Sequence, residues 1–150
     1  MELKIPPPVV ALVVAGAMWA IARATPPMPI PPSISALAAG TLALAGFAIA
    51  LSGVLAFRRA RTTIHPHKPQ ETSALVITGI YRFSRNPMYL GLLLVVLAWA
   101  VFLSAAWSFA GPVAFVLYIG RFQIHPEEQV LSAKFGEDYA VYNSKVRRWL

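Results

Sequence analysis

Gly79-Ile80-Tyr81-Arg82-Phe83-Ser84-Arg85-Asn86-Pro87-Met88-Tyr89-Leu90-Gly91 sets a doubly basic, polar loop directly against a long apolar run. Two arginines, two tyrosines, an amide and a proline fall within nine residues. A segment that only had to enter a bilayer could begin with any single snorkelling Lys or Arg. The density of hydrogen-bonding groups here points instead to a ligand site at a membrane boundary.

The rest of the chain agrees with a membrane setting. It has 150 residues, enough for one domain, with 57% hydrophobic and only 13% charged residues and a mean hydropathy of +0.61, too apolar for an ordinary soluble fold. The absence of cysteine excludes disulfides, thiolate nucleophiles and Cys-type metal sites. The formal charge of +7 is distributed in short clusters beside apolar segments, as membrane proteins use it. No nucleic-acid reading module accompanies it, so nucleic acid is not an expected partner.

Four apolar segments are expected to be transmembrane helices, at about 8–24, 34–57, 87–103 and 105–122. The first two are separated by a linker with five prolines in the seven residues 26–32, which cannot be helical. A signal peptide is the other reading of the first segment. It is disfavoured by Glu2 and the three prolines Pro6, Pro7 and Pro8 ahead of the apolar run. The last two segments are short and form a tight antiparallel hairpin around Ser104 to Ser108, with Trp99 and Trp107 available for the far interface and a kink allowed at Gly111-Pro112. Val130, Leu131, Phe135, Tyr139 and Tyr142 recur at helical spacing within Glu127 to Arg148, which predicts a C-terminal cytoplasmic amphipathic helix. The fold class is thus all-α integral membrane, as a single domain over 1–150.

With four crossings and a cytoplasmic N-terminus, all of the 13 Lys and Arg residues except Arg23 lie inside. Both termini, the Arg58, Arg59, Arg61 cluster, the Arg82/Arg85 loop and the C-terminal segment then share the cytoplasmic face and can build one site.

The string Thr78-Gly79-Ile80-Tyr81-Arg82, then Ser84-Arg85-Asn86-Pro87-Met88-Tyr89-Leu90-Gly91, then Glu127-Glu128, Phe135-Gly136-Glu137-Asp138-Tyr139, Tyr142 and Val146-Arg147-Arg148 resembles the isoprenylcysteine carboxyl methyltransferase and phospholipid methyltransferase superfamily of integral-membrane enzymes. The likeness covers about 78–148, and the N-terminal helix pair at 8–57 matches in character only. It implies an S-adenosylmethionine-dependent methyltransferase acting on a lipophilic small molecule or membrane lipid, with a carboxylate among the acceptor groups left open beside an amine, a thiol and a hydroxyl, and with cofactor contacts at Gly79, Tyr81, Arg85, Asn86, Pro87, Met88, Tyr89, Glu128 and Tyr139. It assigns catalytic positions to Arg121 and Glu127, and no metal. Asn86 stands where many relatives carry histidine, and relatives often continue through a proline after the position of Arg148.

The residues carry part of this without the name. Pro87 suits a helix start, and the free N–H groups there, with Arg85, favour an anion such as a methionyl carboxylate. Tyr81 and Tyr89 offer rings to an adenine or a sulfonium, or simply anchor an interface. Arg121 ends a long uncharged stretch, and its fork can grip a carboxylate or phosphate. Of Glu127 and Glu128, one can neutralise an ammonium while the other pairs with Arg121 or opens the helix after Pro126; the sequence leaves the division open. His65-Pro66-His67 lacks a third ligand and reads as interfacial rather than metal-binding. A non-catalytic four-helix subunit or small carrier is the rival reading, and it predicts that the Arg85 loop and the Glu127 segment stay apart. Nothing in the sequence specifies an oligomeric state.

Overall fold

Proline opens four of the five helices. In the computed structural model, which describes residues 5–60 and 75–150, α1 (Pro7–Ala24), α2 (Pro32–Arg59), α3 (Pro87–Leu103) and α5 (His125–Lys145) each carry proline in the first two positions. The missing N–H costs nothing there and the fixed φ suits the first turn. Arg61, His65 and His67 lie outside the described residues. No strand occurs among the described residues.

α1 and α2 are long and apolar enough to cross a bilayer. α3 is a shorter apolar helix of 17 residues. α2 ends on Arg58 and Arg59, which complement the negative end of its dipole. The tightest seam joins α2 to α3. A Cβ on Gly91 would lie 2.5 Å from the Gly46 carbonyl oxygen, and one on Gly46 would lie 2.6 Å from the Gly91 carbonyl oxygen. Only paired glycines allow backbones so close.

The turn after α3 depends on Ser104, which adopts φ 48 and ψ 40, a conformation uncommon outside glycine. Its N–H and Oγ both donate to the Val101 carbonyl, at 3.2 and 3.1 Å. Its own carbonyl accepts from the Met28 N–H at 2.6 Å, so the proline-rich linker is pinned to the turn. A 3-10 turn, Ala106–Phe109, then leads into α4 (Ala110–Ile119).

Two sequence expectations change here. Gly111-Pro112 makes no mid-helix kink: it forms the first turn of α4, where proline is tolerated. Gly111 is needed instead because any Cβ would collide with the Met18 side chain of α1. Nor does the fourth apolar segment end at Phe122, since α4 passes through a π-helical segment, Gly120–Ile124, straight into α5. At about 1.5 Å per residue α4 alone is only ~15 Å long, half the thickness of a hydrocarbon core. The break comes later, at Gly136, whose φ of 50 and ψ of −118 divide α5. Only glycine takes that conformation without strain.

Val10, Met18, Val96, Ala100, Phe115 and Ile119 form the shared core of α1, α3 and α4. This core fixes the start of α3 against the start of α5, where the polar residues gather.

Candidate active site

The loop before α3 is built by conformation first. Gly79 has φ +63 with open space where a side chain would be, and it starts a 3-10 turn, Gly79–Arg82. The glycine requirement there is therefore a backbone one. Tyr81 is buried; its ring packs edge-on against Phe57 with centroids 5.3 Å apart, and its carbonyl accepts from the Tyr142 hydroxyl at 2.7 Å. Burial pushes the Tyr81 and Tyr142 phenols well above their ordinary range, so both are neutral donors. Ser84, fully buried, accepts the Asn86 N–H at 3.1 Å and bends the chain into α3.

The start of α3 and the start of α5 converge. Glu128 lies between two arginines: Arg85 Nη1 is 3.1 Å from Oε1, while Arg148 reaches Oε2 through Nη2 at 2.6 Å and Oε1 through Nε at 3.1 Å. The Arg85 and Glu128 side chains are only 12% and 18% exposed, against 41% for Arg148, so Glu128 and Arg85 form the desolvated part of the network. Arg85 Nη1 also donates to the Tyr139 hydroxyl at 3.4 Å. The loop and the C-terminal segment are laced together by Arg85 N–H to the Arg147 carbonyl and Asn86 Nδ2 to the Arg148 carbonyl, each at 3.0 Å.

One helical turn deeper, the Tyr89 hydroxyl donates to Glu127 Oε1 at 2.5 Å. Burial, reinforced by the neighbouring Glu128 and opposed by the Tyr89 hydrogen bond, pushes the Glu127 carboxyl up to about 8. At neutral pH it holds its proton for most of the time, and it can accept or release one with little cost.

The expected site residues therefore separate. Tyr81, Arg85, Asn86, Tyr89, Glu127, Glu128 and Tyr139 are brought together, with Pro87 and Met88 in the first turn of α3, where their side chains pack against Gly53 of α2. Arg121 is not in the cluster: it is exposed on the π segment and has no hydrogen bond or ion pair among the described residues. Arg148 was legible only as part of an Arg147-Arg148 pair and proves to be Glu128's bidentate partner. Gln123, fully buried, was passed over in the sequence: an amide between Phe122 and Ile124, four residues before Glu127. Its Nε2 donates to the Ile5 carbonyl at 2.7 Å, tying the chain before α1 to the π segment. Among the described residues two buried side-chain polar atoms lack partners, Arg85 Nε and Gln123 Oε1.

A model of the phospholipid methyltransferase family matches residues 34–138. The chain belongs to that family. Membership identifies a methyltransferase associated with membrane and lipid, and the match spans α2, the Arg85 loop and the acidic pair of α5. The protein is also similar to an uncharacterized protein of Haemophilus influenzae, with 49% identity over 63 residues, covering 42% of this chain and 100% of that protein. No solved structure matches. A buried guanidinium with an unused donor, a carboxyl raised to about 8 and phenolic rings lie where the helices meet.

Proposed function

We propose that this protein is an integral, multi-pass membrane methyltransferase that uses S-adenosylmethionine to methylate a lipid or lipophilic acceptor on the cytoplasmic face, where both termini also lie. The observation that carries the reading is the convergence of two segments far apart in sequence, through Arg85 with Glu128 and Tyr89 with Glu127. A packing subunit or carrier has no use for that convergence.

The residues present fit the methyl donor. Arg85 has a buried Nε without a partner, suited to a carboxylate. Glu128 offers a carboxylate to an ammonium, Asn86 an amide to a ribose or adenine edge, and Tyr89 and Tyr139 aromatic faces. The cofactor, when bound, supplies a methyl group already activated on a sulfonium. The chain's own work is then to position the acceptor and exclude water. In its ionised fraction, which grows as pH approaches 8, Glu127, held by Tyr89, takes up the proton that an amine or hydroxyl acceptor gives up; an ordinary exposed carboxylate, with its far lower pKa, would be a weaker base for that purpose. A carboxylate acceptor needs no base, so the raised Glu127 favours a nucleophile that carries a proton. Arg121, exposed at the membrane boundary, is placed to meet an acidic group on the acceptor's head.

Calorimetric titration of the purified protein with S-adenosylmethionine and with its demethylated product tests the reading. Wild type binds both; Arg85→Ala and Asn86→Ala weaken binding by roughly tenfold or more, as the loss of a charge-assisted hydrogen bond implies. No binding to wild type, or binding unchanged in both variants, overturns it.

A further inference from the structure

Two of the groups assigned above to the methyl donor are already engaged by one residue. Arg148 forks the Glu128 carboxylate, through Nη2 at 2.6 Å and Nε at 3.1 Å, and its carbonyl accepts from the Asn86 amide at 3.0 Å. A cation on Glu128 and an oxygen on Asn86 are what the methyl donor's ammonium and ribose would bring. The buried Arg85 Nε, by contrast, has no partner.

The segment that carries Arg148 is built to come away. α5 ends at Lys145, and Val146 turns extended, with φ −120 and ψ 129. Up to that point the chain is fixed: the Val146 N–H donates to the Tyr142 carbonyl at 3.0 Å, and the Tyr142 hydroxyl donates to the Tyr81 carbonyl at 2.7 Å. Beyond it, residues 146–150 lie over the Arg85 loop through the Arg85 N–H to the Arg147 carbonyl, the Asn86 amide, the Glu128 fork and a partly buried Trp149 against the core. Water reaches Arg148, while Arg85 and Glu128 are largely covered. The Arg148 end of the network is therefore the one that can open with the least desolvation to reverse.

We infer that Arg148 holds the place of the methyl donor's ammonium until the donor binds, and that binding is an exchange in which residues 146–150 leave the Arg85 loop by rotation at Val146. The inference rests on the S-adenosylmethionine reading above. The exchange replaces one cation by another, so Glu128 is never left as a buried charge facing Arg85 alone. It also makes Arg148 a specificity-determining residue. A ligand without an ammonium has nothing to offer Glu128 and leaves the fork in place, whereas one with an ammonium competes for it.

The experiment uses the full chain in nanodiscs with nitroxides on Ala60→Cys and Leu150→Cys, both exposed positions in a sequence with no cysteine of its own. Pulsed electron resonance reads the distance between them. A narrow distribution without ligand should become longer and broader with S-adenosylmethionine or its demethylated product, and should stay unchanged with the demethylated product lacking its α-amino group. Calorimetry on the unlabelled chain gives the affinities. Arg148→Gln should bind S-adenosylmethionine roughly threefold more tightly, the gain from removing a competing pair that water already reaches. Arg148→Lys, which keeps the charge and loses the fork, should fall between Arg148→Gln and wild type. The analogue without the amino group should bind all three alike, a selectivity that a merely structural Arg148 would not produce. S-adenosylmethionine that binds without changing the distance, or binds Arg148→Gln no more tightly than wild type, overturns the exchange and leaves the methyl-donor reading standing. Failure of S-adenosylmethionine and its product to bind either wild type or Arg148→Gln defeats that reading, and the exchange with it.

Discussion

The two halves of α3 are packed by opposite rules. From Pro87 to Gly91 it meets α2 with its backbone at Gly46, Tyr89 is fixed to Glu127, and Arg85 just before it is fixed to Glu128. From Leu92 to Phe102 one face stays in the core through Val96 and Ala100, while Val95 and Phe102 on the strip between α1 and α2 are exposed. The first half has room for one arrangement; the second carries side chains that no described part of the fold covers.

The comparison breaks most readily at the seam. Gly91→Ala puts a methyl group against backbone on the facing helix, which no side-chain rotation relieves, and should cost about 3 kcal/mol, the upper end of ordinary overpacking. Gly40→Ala, in open space, should stay within about 0.5 kcal/mol of wild type. Thermal unfolding in detergent measures both. Equal Tm values for the two variants would show that the halves are not packed differently.

Removing the charge between the arginines is the next largest effect. Glu128→Gln leaves Arg85, 12% exposed, without a counter-charge. Breaking a fully buried pair costs about 3–5 kcal/mol; because Arg148 is 41% exposed and can turn to water, a loss of roughly 1–3 kcal/mol is expected here. Arg148→Gln should cost less than Glu128→Gln in the same unfolding assay, since Glu128 keeps Arg85. The opposite ranking would mean that the network is anchored from the C-terminal segment.

Much of this was legible in sequence where a residue's chemistry dictates its place. Prolines marked the helix starts, and the Arg85-Asn86-Pro87 and Glu127-Glu128 motifs marked the two segments that meet. The missed features are those that depend on three-dimensional neighbours. The left-handed Ser104 and the Gly111 contact with Met18 arise from packing between distant helices, and nothing local announces them. The π segment joining α4 to α5 leaves a helical periodicity, so the sequence suggested two elements in place of one rod. Arg121 drew attention as an arginine after a long uncharged run, yet exposure on that rod separates it from the Arg85 network, while the less conspicuous Arg148 enters it. Gln123, between Arg121 and His125 in sequence, reads as one more polar boundary residue, and only the fold buries it and ties it to Ile5.

The smallest effect reads the polar half through its proton. Glu127 titrates near its ordinary 4.5 when unfolded and at about 8 in the folded chain, so the folded state binds the proton more tightly. Its contribution is full below about 4.5 and is lost as pH rises through the folded value near 8. Stability should therefore fall by about 1 kcal/mol between pH 6 and pH 7, just under the ~1.4 kcal/mol per pH unit that one proton permits. Glu127→Gln keeps a neutral partner for Tyr89 and cannot ionise, so it should flatten that slope while leaving stability at low pH nearly unchanged. A slope that persists in Glu127→Gln would assign the proton to another group. A wild-type profile that is flat between pH 6 and pH 7 would mean that Glu127 is ionised in the folded protein, and the Tyr89 pair would then be a charged one with no proton held at neutral pH.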